Sequence, residues 1–392
     1  MIALLLALAA VTDDEVRRVH STALLIDTHN DVTSDTVKGL DIGERRAKGH
    51  TDIPRLREGG VGAVFFAAYV AGEYAQDNRA AKRTLEMIDT IRHDIVGRHP
   101  NHFQLATTAD QILAARKAGK MAALIGIEGG HAIQDSPRLL RAYYDLGVRY
   151  MTLTHSNSNG WADSSGSTNK PHNGLNDLGR QVIAEMNRLG MMVDISHVSD
   201  KTFYDALAAS QSPVFASHSS CRGISAIPRN MTDEMIAALG KRGGVVQINF
   251  GCEFLSQDSA NTTPWTNPAL RQNLETMASQ NARNPAERKR ILADITAKAA
   301  AQVVRARLSD VVAHIEHVVK IAGIDAVGLG SDFDGVTCVP VGLEDVSKFP
   351  ALTRALLERG YSAEQIHKVY GGNLLRVMRA VEMRAGTKGV LR

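Results

Sequence analysis

Residues 108–131 read TADQILAARKAGKMAALIGIEGGH. Thr108 with Gln111 three positions later forms a capping box, so a helix starts at Ala109 and runs to Ala118, where Gly119 stops it. Met121 to Ile127 is then a short, uninterrupted apolar run, the pattern of a strand covered on both faces. It ends in Glu128-Gly129-Gly130-His131, an acid and an imidazole placed where the hydrophobic strand runs out.

The same alternation covers most of the chain. Further strand candidates are Leu24 to Asp27, Gly62 to Tyr69, Val148 to Leu153, Met191 to Ile195, Val214 to Ser217, Gly244 to Asn249 and Ala326 to Gly330. With Met121 to Ile127 they make eight, the count that a closed parallel barrel requires. Helical segments lie between them at Arg79 to Val96, Pro137 to Leu146, Asp177 to Leu189, Asp200 to Ala209, Asp233 to Lys241 and Leu308 to Ala322, and several end at a glycine before the next strand, as at Gly147, Gly190 and Gly243. Such repetition forces right-handed crossovers and a sheet covered by helices. An open doubly wound sheet alternates in the same way, but eight strands without a Gly-x-Gly-x-x-Gly turn favour an α/β fold of the (β/α)8 TIM-barrel type. At 392 residues, one barrel with insertions accounts for 12–392 as a single domain.

Two segments interrupt the rhythm. Ser156 to Asn173 is rich in Asn, Ser and Gly, and Gly251 to Arg307 is a long insertion after the seventh strand. Both occupy strand-to-helix connections, which form the catalytic face of a barrel, so they are candidate walls or lids. A surface excursion is an equal reading of the charged helix around Arg288 to Lys298.

Composition excludes some partners. The chain is 44% hydrophobic and 22% charged with a formal net charge of +3, and its basic residues are scattered among acids, so nothing supports a nucleic-acid surface. Ile2 to Val11 is apolar, ends in the small-x-small pattern Ala7-Leu8-Ala9 and is followed by Thr12-Asp13-Asp14-Glu15. Residues 1–11 are therefore expected to be a signal peptide and the protein to be secreted or periplasmic; it would be cytoplasmic if the run is instead a buried helix, and no Lys or Arg precedes it. Arg384 to Arg392 is polar and basic, so no membrane anchor is expected there. Of the three cysteines, Cys221 and Cys252 fall near strand ends and could meet, whereas Cys338 is far along the chain. None lies in a Cys-x-x-Cys pair, and small, half-buried hydrophobes are the plainer reading.

Polar residues gather where the strands end. The first strand runs into Asp27-Thr28-His29-Asn30-Asp31, the third into Glu128, the fourth into Thr154-His155, the fifth into Ser196-His197, the sixth into Ser217-His218 and the eighth into Ser331-Asp332-Phe333-Asp334. Six strands thus deliver His, Asp or Glu to one rim. In an extended segment His29 and Asp31 share a face, and imidazole nitrogen with carboxylate oxygen is a donor set that zinc accepts. A single histidine at a strand end is more often a hydrogen-bonded core residue, and an acid there can merely cap the next helix. Six together are hard to reconcile with packing, because a buried charge is costly unless paired or metal-bound. His20, His50, His93, His99, His102, His172 and His367 fall on loops or helix exteriors and are given no role; His314 and His317 share what reads as a solvated helix face.

The stretches His29-Asn30-Asp31, Ile127-Glu128-Gly129-Gly130-His131, Met151-Thr152-Leu153-Thr154-His155, Asp194-Ile195-Ser196-His197, Ser217-His218-Ser219-Ser220, Arg229-Asn230 and Gly330-Ser331-Asp332-Phe333-Asp334-Gly335 resemble those of the membrane (renal) dipeptidases, in order from about Asp27 to Met378. The resemblance implies a zinc-dependent dipeptidase with two Zn2+ ions that share and activate one water. It assigns His29 and Asp31 to one ion and His197 and His218 to the other, with Glu128 bridging. It further implies His155 at the reacting carbonyl, Asp332 in proton transfer and Arg229 on the substrate carboxylate, with tolerance of a D-residue at the second position and a homodimer among the assemblies it allows. Two departures stand out: Asn157 and its neighbours replace the cysteine-containing loop of mammalian members, and the insertion after Phe250 replaces a shorter, tyrosine-bearing connection. Among rivals, other amidohydrolases acting on acyl-amino acids, lactones or phosphoesters usually begin with His-x-His rather than His29-x-Asp31. An inactive binding protein would be expected to lack a ligand or Asp332. Nickel or iron remains open on ligand type alone.

Overall fold

The computed structural model of the chain describes residues 10–386; nearly all of the apolar run behind the signal-peptide expectation lies outside them. Among the described residues nine strands form: β1 (Leu25–Asn30), β2 (Val61–Tyr69), β3 (Phe103–Leu105), β4 (Met121–Glu128), β5 (Val148–Thr152), β6 (Met192–Asp194), β7 (Phe215–Ser219), β8 (Val245–Ile248) and β9 (Val327–Leu329). Eight of them lie side by side in the order β1-β2-β4-β5-β6-β7-β8-β9, all parallel. The ring closes just beyond the strand ends, where Asp332 N–H donates to the His29 carbonyl at 3.0 Å and Asp31 N–H to that of Phe333 at 2.9 Å. This is the (β/α)8 barrel. The extra strand β3 pairs with the first three residues of β4, ahead of the stretch that pairs with β5, and three residues are too few to show a period in sequence.

Inside the barrel, Tyr150 packs between Phe65, tilted against it, and Phe215, edge-on to it, at centroid distances of 5.1 and 5.4 Å. The space for its ring is made by Gly126 on β4, where a Cβ would lie 2.0 Å from the ring. The helix at Ala109–Lys117 starts where expected, with Thr108 accepting from Gln111 N–H, but the capping box is not reciprocal: the Gln111 side chain accepts from Thr107 N–H at 2.7 Å instead.

Several expectations are corrected. Cys252 is bonded to Cys338, not to Cys221, which is a free buried thiol; the connections after β8 and β9 are neighbours on the barrel rim although 86 residues separate the two cysteines. His314 is fully buried rather than solvated, receiving a bond from Cys221 N–H at Nδ1 and meeting the Leu255 carbonyl at Nε2. His20 is likewise buried, held between Thr353 and the Gly59 carbonyl. The insertion divides in two. Its first part, through Trp265, turns over the barrel mouth, while the helix Pro285–Ala300 buries none of its residues. Trp161, by contrast, is wholly buried beside the rim. Among the described residues no helix is long and apolar enough to cross a membrane.

Candidate metal centre

Every residue of β1 and β4 is buried; β1 closes on His29-Asn30 with Asp31 next, and β4 ends in Glu128. His29 Nδ1 lies 2.8 Å from the Tyr150 hydroxyl, which donates its own proton to the Thr28 carbonyl at 3.1 Å. In the neutral ring that metal binding requires, Nδ1 then carries the proton and Nε2 presents a lone pair to the barrel mouth. His218 repeats this logic: Ser217 Oγ donates to Asp194 Oδ2 at 2.6 Å and stands 2.7 Å from His218 Nδ1, again leaving Nε2 as acceptor. Asp194 also takes the amides of Ser196 and Ser217 and the Thr152 hydroxyl, which fixes it in place.

Glu128 stands between these groups. Its Oε2 is 3.5 Å from His29 Nε2, while Oε1 is 2.9 Å from His197 Nε2, 3.4 Å from His218 Nε2 and 3.6 Å from His155 Nε2. Asp31 Oδ2 lies 3.2 Å from His29 Nε2, yet both atoms are buried without a hydrogen-bond partner. The Nε2 atoms of His197 and His218 face each other at 3.0 Å. Donor atoms that converge in this way, with two of them orphaned, fit a bound cation. Among the described residues three sets lie within ligand reach: His29, Glu128 and His218; Glu128, His155 and His197; His29, Asp31 and Asp332. His197 and Asp332 hold their positions at the cost of left-handed backbone, with φ of 67° and 61°.

The electrostatics follow from burial and from the acids. Burial holds His197 and His218 well below the usual imidazole range, in the neutral form that binds metal. Burial pulls Glu128 upward, but His29 and His155 outweigh it and keep the carboxylate ionised. Asp332 is raised well above the usual carboxylate range by burial and then by Asp31, and its Oδ2 accepts from Asn249 Nδ2 at 2.7 Å. A cavity of about 610 Å³ opens over these groups. Arg229 lines it, with Nη1 on Ser219 Oγ at 2.8 Å, Nη2 on the His218 carbonyl at 2.9 Å and a buried Nε that has no partner.

The geometry thus brings His29, Asp31, Glu128, His155, His197, His218, Arg229 and Asp332 to one cavity. His131 turns away to the Val70 carbonyl, and Asp334 accepts from the His50 amide. Tyr150, Asp194, Asn249 and Tyr69, whose ring meets His155 edge-on at 4.8 Å, belong to the same constellation and were not singled out in sequence. Only Asp194 carried a signal, as an acid in the quoted run before His197.

A family model described as membrane dipeptidase (peptidase family M19) matches residues 13–388. The dipeptidase verJ of Clonostachys rogersoniana is 37% identical over 374 residues, covering 91% of this chain and 84% of that protein. Among solved structures, the probable dipeptidase PvdM from Pseudomonas aeruginosa superposes with a TM-score of 0.84 at 25% identity, covering 95% of this chain and 98% of its own. The metallopeptidase called dipeptidase AC does so at 0.74 and 26%, covering 92% and 99%.

Proposed function

The chain belongs to the membrane dipeptidase family and is a metallo-dipeptidase; we propose that it works with two zinc ions on free dipeptides, L,D-dipeptides included. His29 and Asp31 would hold one ion, His197 and His218 the other, and Glu128 would bridge them. Bound there, zinc supplies Lewis acidity and a water that ionises near neutral pH. The observation that carries this reading is Glu128, whose two oxygens face separate groups, Oε2 toward His29 and Oε1 toward His197 and His218.

The chain's own residues do the rest. Arg229 offers its unpartnered Nε–H and the remaining guanidinium protons to a terminal carboxylate, which selects short substrates over internal bonds of long chains. Asp332 keeps Oδ1 for a proton while Asn249 holds Oδ2; once bound cations offset the charge of Asp31 that raises it, it is ionised, takes the proton of the attacking water and returns it to the leaving amine as the C–N bond breaks. His155 lines the cavity beside Glu128 and stabilises the oxyanion of the tetrahedral intermediate. Tolerance of a D-residue in the second position belongs to the same proposal and rests on the family resemblance. Export to a secreted or periplasmic location is part of the same proposal, resting on Ile2 to Val11.

The test is metal analysis of the purified protein beside dipeptide hydrolysis, before and after chelation. Close to two zinc ions per chain are expected, with activity lost on chelation and restored by Zn2+, and Glu128→Ala should empty or scramble the site. Full metal content and activity in that variant would overturn the bridging role.

A further inference from the structure

The first turn of the insertion, Cys252–Leu255, follows β8 directly and carries a buried acid, Glu253, into the wall of the active-site cavity. Glu253 is 3% exposed. One carboxylate oxygen accepts from Trp265 Nε1 at 2.9 Å, and among the described residues no cation offsets the burial. A carboxyl so placed is unfavourable unless something compensates it, because removing a carboxylate from water is costly. Burial pushes it up to about 7, so a cation arriving in the cavity would find a group ready to ionise.

Its position is rigidly defined relative to Arg229. Ser225 Oγ donates to the Glu253 carbonyl at 2.7 Å and Asn230 Nδ2 to the Phe254 carbonyl at 2.9 Å, both from the loop that bears Arg229. On the other side, Cys252 is tied to Cys338 by the disulfide and by its amide on the Cys338 carbonyl. The Phe254 ring covers the Arg229 guanidinium at 5.3 Å, and Trp265 packs on Phe254 at 5.7 Å. Arg229, Glu253, Phe254 and Trp265 thus line the same cavity. Arg271, also on the rim, is turned toward Glu275 at 3.8 Å.

We propose that Glu253 is a specificity-determining residue that receives a cationic side chain, a lysine ammonium or an arginine guanidinium, on the C-terminal residue of the dipeptide. This rests on the dipeptidase reading with Arg229 as the carboxylate clamp. The methylene stem of such a side chain lies along Phe254 and Trp265 while its head reaches the carboxyl, the division of labour that long basic side chains favour.

The experiment compares kcat/KM for Ala-Lys with the dipeptide of Ala and 2-aminoheptanoic acid, whose pentyl side chain matches lysine in length, Ala-Arg with Ala-citrulline, and Ala-Lys with Lys-Ala. The wild-type enzyme is expected to prefer the cationic member of each isosteric pair by about tenfold, the scale of one charge-assisted contact, and to prefer Lys in the second position. Glu253→Gln should bring both isosteric ratios close to one, and Glu253→Asp, which withdraws the carboxyl by a methylene, should lower them part way. Wild-type ratios near one overturn the proposal without any variant, as does a preference that persists in Glu253→Gln. A preference for Lys-Ala moves the contact to the substrate's amino end and equally overturns it. Hydrolysis of none of these dipeptides would reject the dipeptidase reading itself, an outcome distinct from cleavage without charge preference.

Discussion

The Tyr150 hydroxyl stands 2.8 Å from Nδ1 of His29, and through it the barrel interior sets which nitrogen of that imidazole faces the candidate metal centre. Tyr150→Phe removes the acceptor and leaves a buried N–H unsatisfied, at a cost of about 1–3 kcal/mol. Metal affinity should fall by about 10- to 100-fold, the usual effect of losing a partner behind a ligand, read by competition with a chelator of known affinity. Gly126→Ala should push in the same direction, since the new methyl would collide with the Tyr150 ring. An unchanged affinity in Tyr150→Phe would mean that the tautomer is set elsewhere.

Asp332 lies within ligand reach of His29 and Asp31 but is also held by Asn249, so a proton carrier and a ligand predict different outcomes. For a proton carrier, Asp332→Asn keeps the metal and loses about 10²- to 10⁴-fold in turnover. His155→Ala should lose about 10²- to 10³-fold, as oxyanion donors do. Metal content measured beside kcat separates the two cases: loss of metal in Asp332→Asn would put its carboxylate among the ligands.

How much of this was legible in the sequence depends on distance along the chain. The strand Met121 to Glu128 announced itself because helix start, glycine stop, apolar run and polar tip are all local. The donors at strand ends were legible for the same reason, since a parallel barrel sends every strand end to one rim. Tyr150 was not, because it serves a histidine 121 residues away and needs Gly126 on a third strand to do so. Cys252 and Cys338 show the same limit, as their pairing depends on how two loops fold back over the mouth. His314 misled because its helical spacing from His317 matches an exposed face, whereas the turn Cys252–Leu255 packs over it and takes its Nε2 proton on the Leu255 carbonyl.

That burial has a consequence for pH. Burial, opposed by the bond to Leu255, lowers the His314 pKa to about 4, against about 6.5 in an unfolded chain. Between those values the unfolded state binds the extra proton, so stability rises with pH through the window and is lost as pH falls from about 6.5 toward 4. The loss from this one residue approaches about 3 kcal/mol at the acid end. Unfolding midpoints in urea from pH 4 to 7 should show the slope, and His314→Gln should flatten it whatever its effect at neutral pH. A slope identical in the variant would remove His314 as the cause.

Substrate choice provides the last test, through the guanidinium of Arg229. Burial lowers its pKa to about 10, which still leaves it a cation at neutral pH, and its Nη1 and Nη2 are anchored on Ser219 and the His218 carbonyl. The group is therefore fixed relative to His218, one of the candidate ligands, and its unpartnered Nε is buried. If it clamps the C-terminal carboxylate, free dipeptides should be cleaved at least tenfold better than their C-terminal amides, since an amide loses the charge-assisted pair. Arg229→Lys should not rescue, because an ammonium keeps the charge but cannot span Ser219, the His218 carbonyl and the ligand at once. A panel of L,L- and L,D-dipeptides with matched amides measures both points, with comparable rates expected for the two stereochemical series. Equal rates on acid and amide would take Arg229 out of substrate binding and leave it a brace for His218.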